Sequence, residues 1–94
     1  MEISFDPEKR RRALERRGLD FADAGAVFAG PVVEFEDVRF AYPERRFATY
    51  GLLDGRMVAL VWTEAANGRR VISMRKANER ERAHYGPRLA RPGG

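Results

Sequence analysis

The sequence predicts an α+β domain of two amino-terminal helices, a four-stranded and largely antiparallel sheet, and one carboxy-terminal helix. Three observations predict it. Helix punctuation occurs at Asp6-Pro7-Glu8, at Asp20 with Asp23, and at Asn78 with Glu81, each placing a capping oxygen ahead of a helical pattern. Between the last two, the chain from Val32 to Lys76 reads as short runs of alternating side-chain character. Two of the junctions in that span, Asp54-Gly55 and Asn67-Gly68, are dipeptides that suit two-residue hairpin turns, whose central residues need positive φ.

The first helix begins at Pro7, with Asp6 as cap, proline where no amide is needed and Glu8 in the first turn, and Gly18 stops it. Ala13 and Leu14 stand almost alone against Lys9, Arg10, Arg11, Arg12, Arg16 and Arg17, so it keeps only a narrow seam on the core. In the second helix Phe21, Ala24 and Phe28 share a face, with Val27 beside them, and Gly30-Pro31 ends it. Val32 to Glu36 is a strand with Val33 and Phe35 on one face, and Pro43 bars a central strand from the connection Asp37 to Glu44. Strands then run Arg45 to Leu52, Met57 to Glu64 and Arg69 to Lys76. Asn78 and Glu81 form a capping box for the last helix, which Gly86-Pro87 ends. The domain is expected to span residues 1–87, with 88–94 a flexible tail.

Two-residue turns fix a register. They set Arg45 opposite Glu64 and Tyr50 opposite Ala59 in the first hairpin, and Glu64 opposite Val71 in the second. One face then collects Ala48, Tyr50, Ala59, Val61, Ile72 and Met74, an apolar floor for the first two helices. The other sets Phe47, Leu60, Trp62 and Val71 beside Arg45, Thr49, Glu64, Ser73 and Arg75. A one-residue slip in either turn exchanges the faces of a strand.

The chain has 94 residues, net charge +4 and a pI near 10.1. Residues 8–17 carry six basic and two acidic side chains, residues 69–91 eight and two, and the span 18–68 is acidic by four. Basic ends around an acidic middle suit a directed positive surface, for which nucleic acid is the common ligand; a solvated helix face is the alternative. With no cysteine and a single histidine, a disulfide framework, a thiolate nucleophile and a Cys- or His-built metal site are all disfavoured, so metal-free and cofactor-free chemistry is expected. The amino terminus lacks the basic start and apolar run of a signal peptide and no apolar stretch reaches membrane-spanning length, so a cytoplasmic protein with no membrane contact is expected.

Arg75 and Lys76 fall where a strand gives way to a helix amino terminus, a place that gathers cations and amide donors suited to a phosphate. Metal-free RNA cleavage needs the 2′-hydroxyl deprotonated, the phosphate's charge met and the leaving 5′-oxygen protonated. Glu64 can be the base, Arg75 can meet the charge, and Lys76 or His84 can supply the proton. Trp62 and Tyr85 offer surfaces for an unstacked base, while Arg45, Arg46, Arg70, Arg80 and Arg82 are further phosphate contacts. Arg11 is expected to make a nonspecific phosphate contact. The ordinary readings are a cross-strand Arg45–Glu64 ion pair, a core Trp62, an exposed His84 and a solvated face for Glu79 to Arg82.

Taken together these residues resemble the BrnT family, the toxin half of a type II toxin–antitoxin pair whose members adopt a RelE-like ribonuclease fold. The resemblance runs through Phe5-Asp6-Pro7, Arg17-Gly18-Leu19-Asp20-Phe21, Ala24, Val27-Phe28 and Arg46-Phe47-Ala48-Thr49-Tyr50-Gly51. It is most specific in Arg70-Val71-Ile72-Ser73-Met74-Arg75-Lys76-Ala77, followed by Glu81-Arg82 and Tyr85. The family usually has asparagine where Ala13 stands and Lys-His where Arg16-Arg17 stand, and its members vary at Trp62. Its arginine aligns with Arg46, whereas the hairpin register puts Arg45 on the mixed face, and the choice between them stays open. The resemblance implies a metal-independent endoribonuclease that inhibits translation and is neutralised by a BrnA-type antitoxin, itself a DNA-binding protein, so that DNA is contacted only indirectly. That antitoxin is expected over Phe47, Leu60 and Trp62, an apolar patch beside basic residues. The alternative is a non-catalytic basic module that binds RNA or antitoxin.

Overall fold

The computed structural model describes residues 1–90. In chain order they form β1 (Glu2–Phe5), α1 (Pro7–Arg17), a 3₁₀ turn (Phe21–Asp23), α2 (Ala24–Ala29), β2 (Val32–Asp37), β3 (Arg46–Leu53), β4 (Arg56–Ala65), β5 (Gly68–Lys76) and α3 (Glu79–Leu89). The α+β class stands, but the sheet has five strands rather than four, in the order β1-β5-β4-β3-β2. The added strand is the amino terminus. Its alternation of exposed Glu2 and Ser4 with half-buried Ile3 and Phe5 is only four residues long, and its partner, parallel β5, lies at the other end of the sequence. A non-local parallel pairing leaves no local turn signal.

The helix boundaries follow their punctuation. The Asp6 carboxylate accepts from the Glu8 amide at 2.9 Å, and Gly18 closes α1 at φ 67°. The second helix is divided, with Asp20 capping the 3₁₀ turn through the Ala22 amide before α2 begins. The last helix runs past Gly86-Pro87 to Leu89, which is buried beside Tyr50, Met57 and Ala77. That burial holds the final turn despite the proline. Arg88 and Leu89 of the expected tail therefore belong to α3, and residues 91–94 lie outside the described residues.

The first hairpin has the expected register, Tyr50 opposite Ala59, with Asp54 and Gly55 both at positive φ. The second does not. Its loop is Ala66-Asn67, and Gly68 is already in β5, opposite Ala65 and opposite Glu2 of β1. A Cβ on Gly68 would fall on the Glu2 carbonyl oxygen, so this glycine serves the close approach of β1 rather than a turn. Farther along, Trp62 pairs with Val71 but Val61 pairs with Ser73, leaving Ile72 as the extra residue of a β-bulge.

The bulge redistributes the faces. Val71 and Met74 both turn toward Leu60 and Trp62, while Ser73 and Arg75 turn the other way. The core under α1, the 3₁₀ turn and α2 is Ala13, Leu19, Phe21, Ala24 and Val27 on Val58, Leu60, Val71 and Met74. The expected assignment of that floor to Ala48, Tyr50, Ala59 and Val61 is thus overturned. Val58, Leu60, Val71 and Met74 take the helix-covered face, where burying each is worth about 2 kcal/mol, and Ala48, Ala59 and Val61 lie on the reverse. Gly51 lets α2 lie close, since a Cβ there would come within 2.6 Å of Val27 Cγ1. On the reverse face α3 covers one end only, packing Tyr85 and Leu89 against Val33, Tyr50, Met57, Ala59 and Ala77.

Candidate active site

The part of the reverse face that α3 leaves open is a groove of about 410 Å³. Its floor is Ala48, Ala59 and Val61, whose small side chains give it depth. Phe35, Asp37, Val38 and Arg39 form one wall, and Ser73, Arg75, Tyr50 and Glu81 line the other side. The bulge at Ile72 is what turns Arg75 into this groove.

Arg75 is held there by a fork. Its Nη1 donates to Glu81 Oε1 at 2.7 Å and its Nη2 to Oε2 at 2.8 Å. The same carboxylate accepts from the Asn78 amide at 2.9 Å and from the Tyr50 hydroxyl at 2.6 Å, while Asn78 returns the cap to the Glu81 amide. Glu81 thus starts α3 and orients Arg75 with one group. Nη1 also donates to the Lys76 carbonyl at 3.4 Å, which leaves the Nε–H and the second Nη2–H of Arg75 for a ligand, and its side chain is 45% exposed. The Arg75 guanidinium, with the Tyr50 and Asn78 bonds, holds the Glu81 carboxyl down at about 2. Burial, then the bond to Glu81, pushes the Tyr50 hydroxyl up to about 12, so it stays a donor. Across the groove Asp37 is held at about 2 by Arg39, with help from the Arg39 amide and the Tyr42 hydroxyl.

Beside the cations lies an aromatic array. The Tyr50 and Tyr85 rings stack at 4.2 Å, and Phe35, which is exposed, lies nearly parallel to both at 6.2 and 6.3 Å.

The depressed Glu81 value has a consequence for stability. Its folded value is below the ordinary 4.5, so its contribution is present above that pH and is lost as pH falls from 4.5 toward about 2. Glu81→Gln is expected to lower the melting temperature at neutral pH and to shrink the parent's loss of stability over that acid window. Melts at a series of pH values check this; parallel parent and variant curves would show that the carboxylate does not act this way.

The expected catalytic trio is not brought together. Arg75 is in the groove. Lys76, one residue on, points to the helix-covered face, where it pairs with Val58 and neighbours Asp20, Asp23 and Asp54. Glu64 is also on that face, its side chain 67% exposed and 3.9 Å from Arg45. Trp62 is no base platform. It is 7% exposed, stacked on Phe47 at 4.7 Å and edge-on to Phe28, and its Nε1 donates to Thr49 Oγ1 at 2.7 Å. With Leu60 fully buried and Phe47 half-buried under the Trp62 ring, most of the apolar patch expected to receive the antitoxin is covered.

Arg46 shares the groove face with Ala48 and Tyr50, whereas Arg45 lies on the other, over Phe47 and bonded to Glu36. Arg46 sits 4.3 Å above the Tyr42 ring. Arg70, also of the groove-side parity, is exposed at the β1 end, as are Arg80 and Arg82 on α3, where Arg82 donates to the Ala77 carbonyl. His84 is exposed and edge-on to Tyr85. The sequence reading missed Phe35, Arg39, Tyr50 and Ser73 as groove residues and took Glu81 only for a cap. The Asn78/Glu81 spacing was a usable signal for Glu81, since a capping carboxylate keeps acceptor capacity for a neighbour.

The family described as a ribonuclease toxin, BrnT, of type II toxin-antitoxin systems matches residues 5–81. The chain belongs to the BrnT family. The match takes in β2 to β5 and ends on Glu81, so it contains both partners of the fork. A comparison with curated proteins finds no match. As a BrnT toxin the chain is a ribonuclease of a type II system, with RNA as its target and an antitoxin as its partner. No helix among the described residues is long and apolar enough to cross a membrane.

Proposed function

We propose that the groove holding Arg75 is where RNA is bound and cut, and that this endoribonuclease works without a metal ion. Arg75 meets the charge of the phosphate as the 2′-oxygen attacks and the 5′-oxygen leaves. The observation that carries the reading is the Glu81 fork, which fixes a guanidinium in an open groove with donors still free. Preorganised donors aimed at developing charge are the largest common source of rate enhancement. Ser73 offers a hydroxyl beside it, Arg46 lies on the same face, and Phe35 with Tyr85 supplies ring surface for an unstacked base. Arg70, Arg80 and Arg82 are exposed and serve as further phosphate contacts.

The groove carboxylates are each committed to an arginine, Glu81 to Arg75, Asp37 to Arg39 and Glu36 to Arg45. A carboxylate held near 2 is a poor base and is already compensated, so catalysis in this groove rests on charge and positioning. Glu64 and Lys76 do not reach it from their strand face, and we assign them no proton transfer. In the cell the chain acts in the cytoplasm, inhibits translation, and is neutralised by a BrnA-type antitoxin through which alone it contacts DNA.

The test is cleavage of single-stranded RNA by the purified chain. Activity is expected to survive a chelator and to disappear when the BrnA-type protein is added in equimolar amount. Loss with chelator and recovery with magnesium or zinc would overturn the metal-free reading.

A further inference from the structure

A second basic groove lies between α1 and β5. It is lined by Lys9, Arg12, Arg16 and Arg17 from the helix and by Ile72 and Ser73 from the strand. Lys9, Arg12 and Arg16 fall at helical spacing on one face and are exposed. The carboxylates near α1 are used elsewhere. Glu8 and Glu15 both pair with Arg11, and Asp20 takes Arg10. Among the described residues Lys9, Arg12 and Arg16 have no carboxylate in ion-pair range.

The strand beneath this groove has a free edge. β1 covers β5 only from Gly68 to Val71, so from Ile72 onward no strand lies outside it. Arg17 caps part of that edge by donating to the Met74 carbonyl at 2.9 Å. Ser73 lines both grooves, the one that holds Arg75 and the one under α1. The two therefore meet over the edge of β5, and basic side chains follow one another from Arg75 across Ser73 to Arg16, Arg12 and Lys9.

We propose that an extended single strand of RNA leaves the Arg75 groove over the free edge of β5 at Ser73, and that Lys9, Arg12 and Arg16 bind the phosphates flanking the cleavage site. This rests on the reading of the Arg75 groove as the place of cleavage. A run of unpaired cations at the spacing of a helix face, continuous with the Arg75 groove, suits a polyanion rather than a single ion.

The experiment compares the parent with Arg12→Glu/Arg16→Glu on two fluorescent single-stranded RNAs, one just filling the Arg75 groove and one several nucleotides longer, across a salt series. The longer RNA is expected to lose affinity by roughly tenfold relative to the short one, and its log–log salt slope to fall by about 1.4, the value for two phosphate contacts on a single strand. Arg12→Gln/Arg16→Gln removes the same two contacts and should show the same fall in slope with a smaller loss of affinity, which removes charge reversal as an explanation, while unchanged binding of the short RNA shows that the variants are folded. Equal losses on both RNAs, or no loss on either, overturn the proposal. So does an unchanged RNA affinity with weakened antitoxin binding, which would give this groove to the partner. If the parent binds both RNAs but cuts neither, the cleavage reading fails, while the two-length binding comparison still decides the path.

Discussion

Arg75→Ala is expected to cut RNA about a hundredfold more slowly or worse, a loss of about 3 kcal/mol of transition-state stabilisation. The guanidinium is fixed beside Ser73 by a two-pronged carboxylate contact, and alanine removes the charge while Glu81 keeps its bonds to Asn78 and Tyr50. The loss should fall mainly in kcat. Arg75→Lys keeps a charge but not the planar fork, so it should recover only part of the rate. Both variants must show cooperative melts near the parent's. A folded Arg75→Ala that cleaves RNA at the parental rate would place the active site outside this groove.

Trp62→Ala is expected to destabilise the fold by about 3–5 kcal/mol, the usual cost of emptying an aromatic site in a core. The ring stacks on Phe47 and meets Phe28 edge-on, and Arg69 lies 4.2 Å over both Trp62 and Phe28. Its Nε1 begins a chain in which Thr49 donates to Glu34 and Arg69 donates to the same carboxylate. Trp62→Phe keeps most of the packing but breaks that chain at its first donor, so its cost should be smaller. Denaturant unfolding of both variants checks the order. If Trp62→Ala melts with the parent yet binds RNA poorly, the ring is a ligand surface after all.

Much of the fold was legible because its signals are local. Asp6-Pro7, Asp20 and Asn78 each announce a helix through an oxygen aimed at the next turn, and Asp54-Gly55 announces a hairpin through two positive φ values. What was lost is non-local. The partner of β1 is at the far end of the chain, and the glycine that admits it looks, in sequence, like half of an Asn-Gly turn. The bulge at Ile72 is invisible to an alternation count, because one extra residue preserves the composition of β5 while reversing the face of everything after it. For the site this mattered most. Arg75 does stand at the strand-to-helix junction read from the sequence, yet that reading grouped it with Glu64 and Trp62, from which the bulge separates it. Tyr50 was read as core, and it is nearly buried, but its hydroxyl is spent on the carboxylate that holds Arg75.

The pairing of β1 with β5 also bears on when the molecule becomes harmful. A ribosome makes Glu2 to Phe5 at the outset but the strand that receives them, beginning at Gly68, only much later, and a parallel pairing of such separation closes slowly. Until then Ile3 and Phe5 have no sheet edge to complete, and α1 has no β5 to lie on. The Arg75 fork waits longer still, because Glu81 follows it in synthesis. A nascent chain therefore carries its basic helix without the Arg75 groove. The topology leaves the Arg75 groove unformed until translation has passed Glu81.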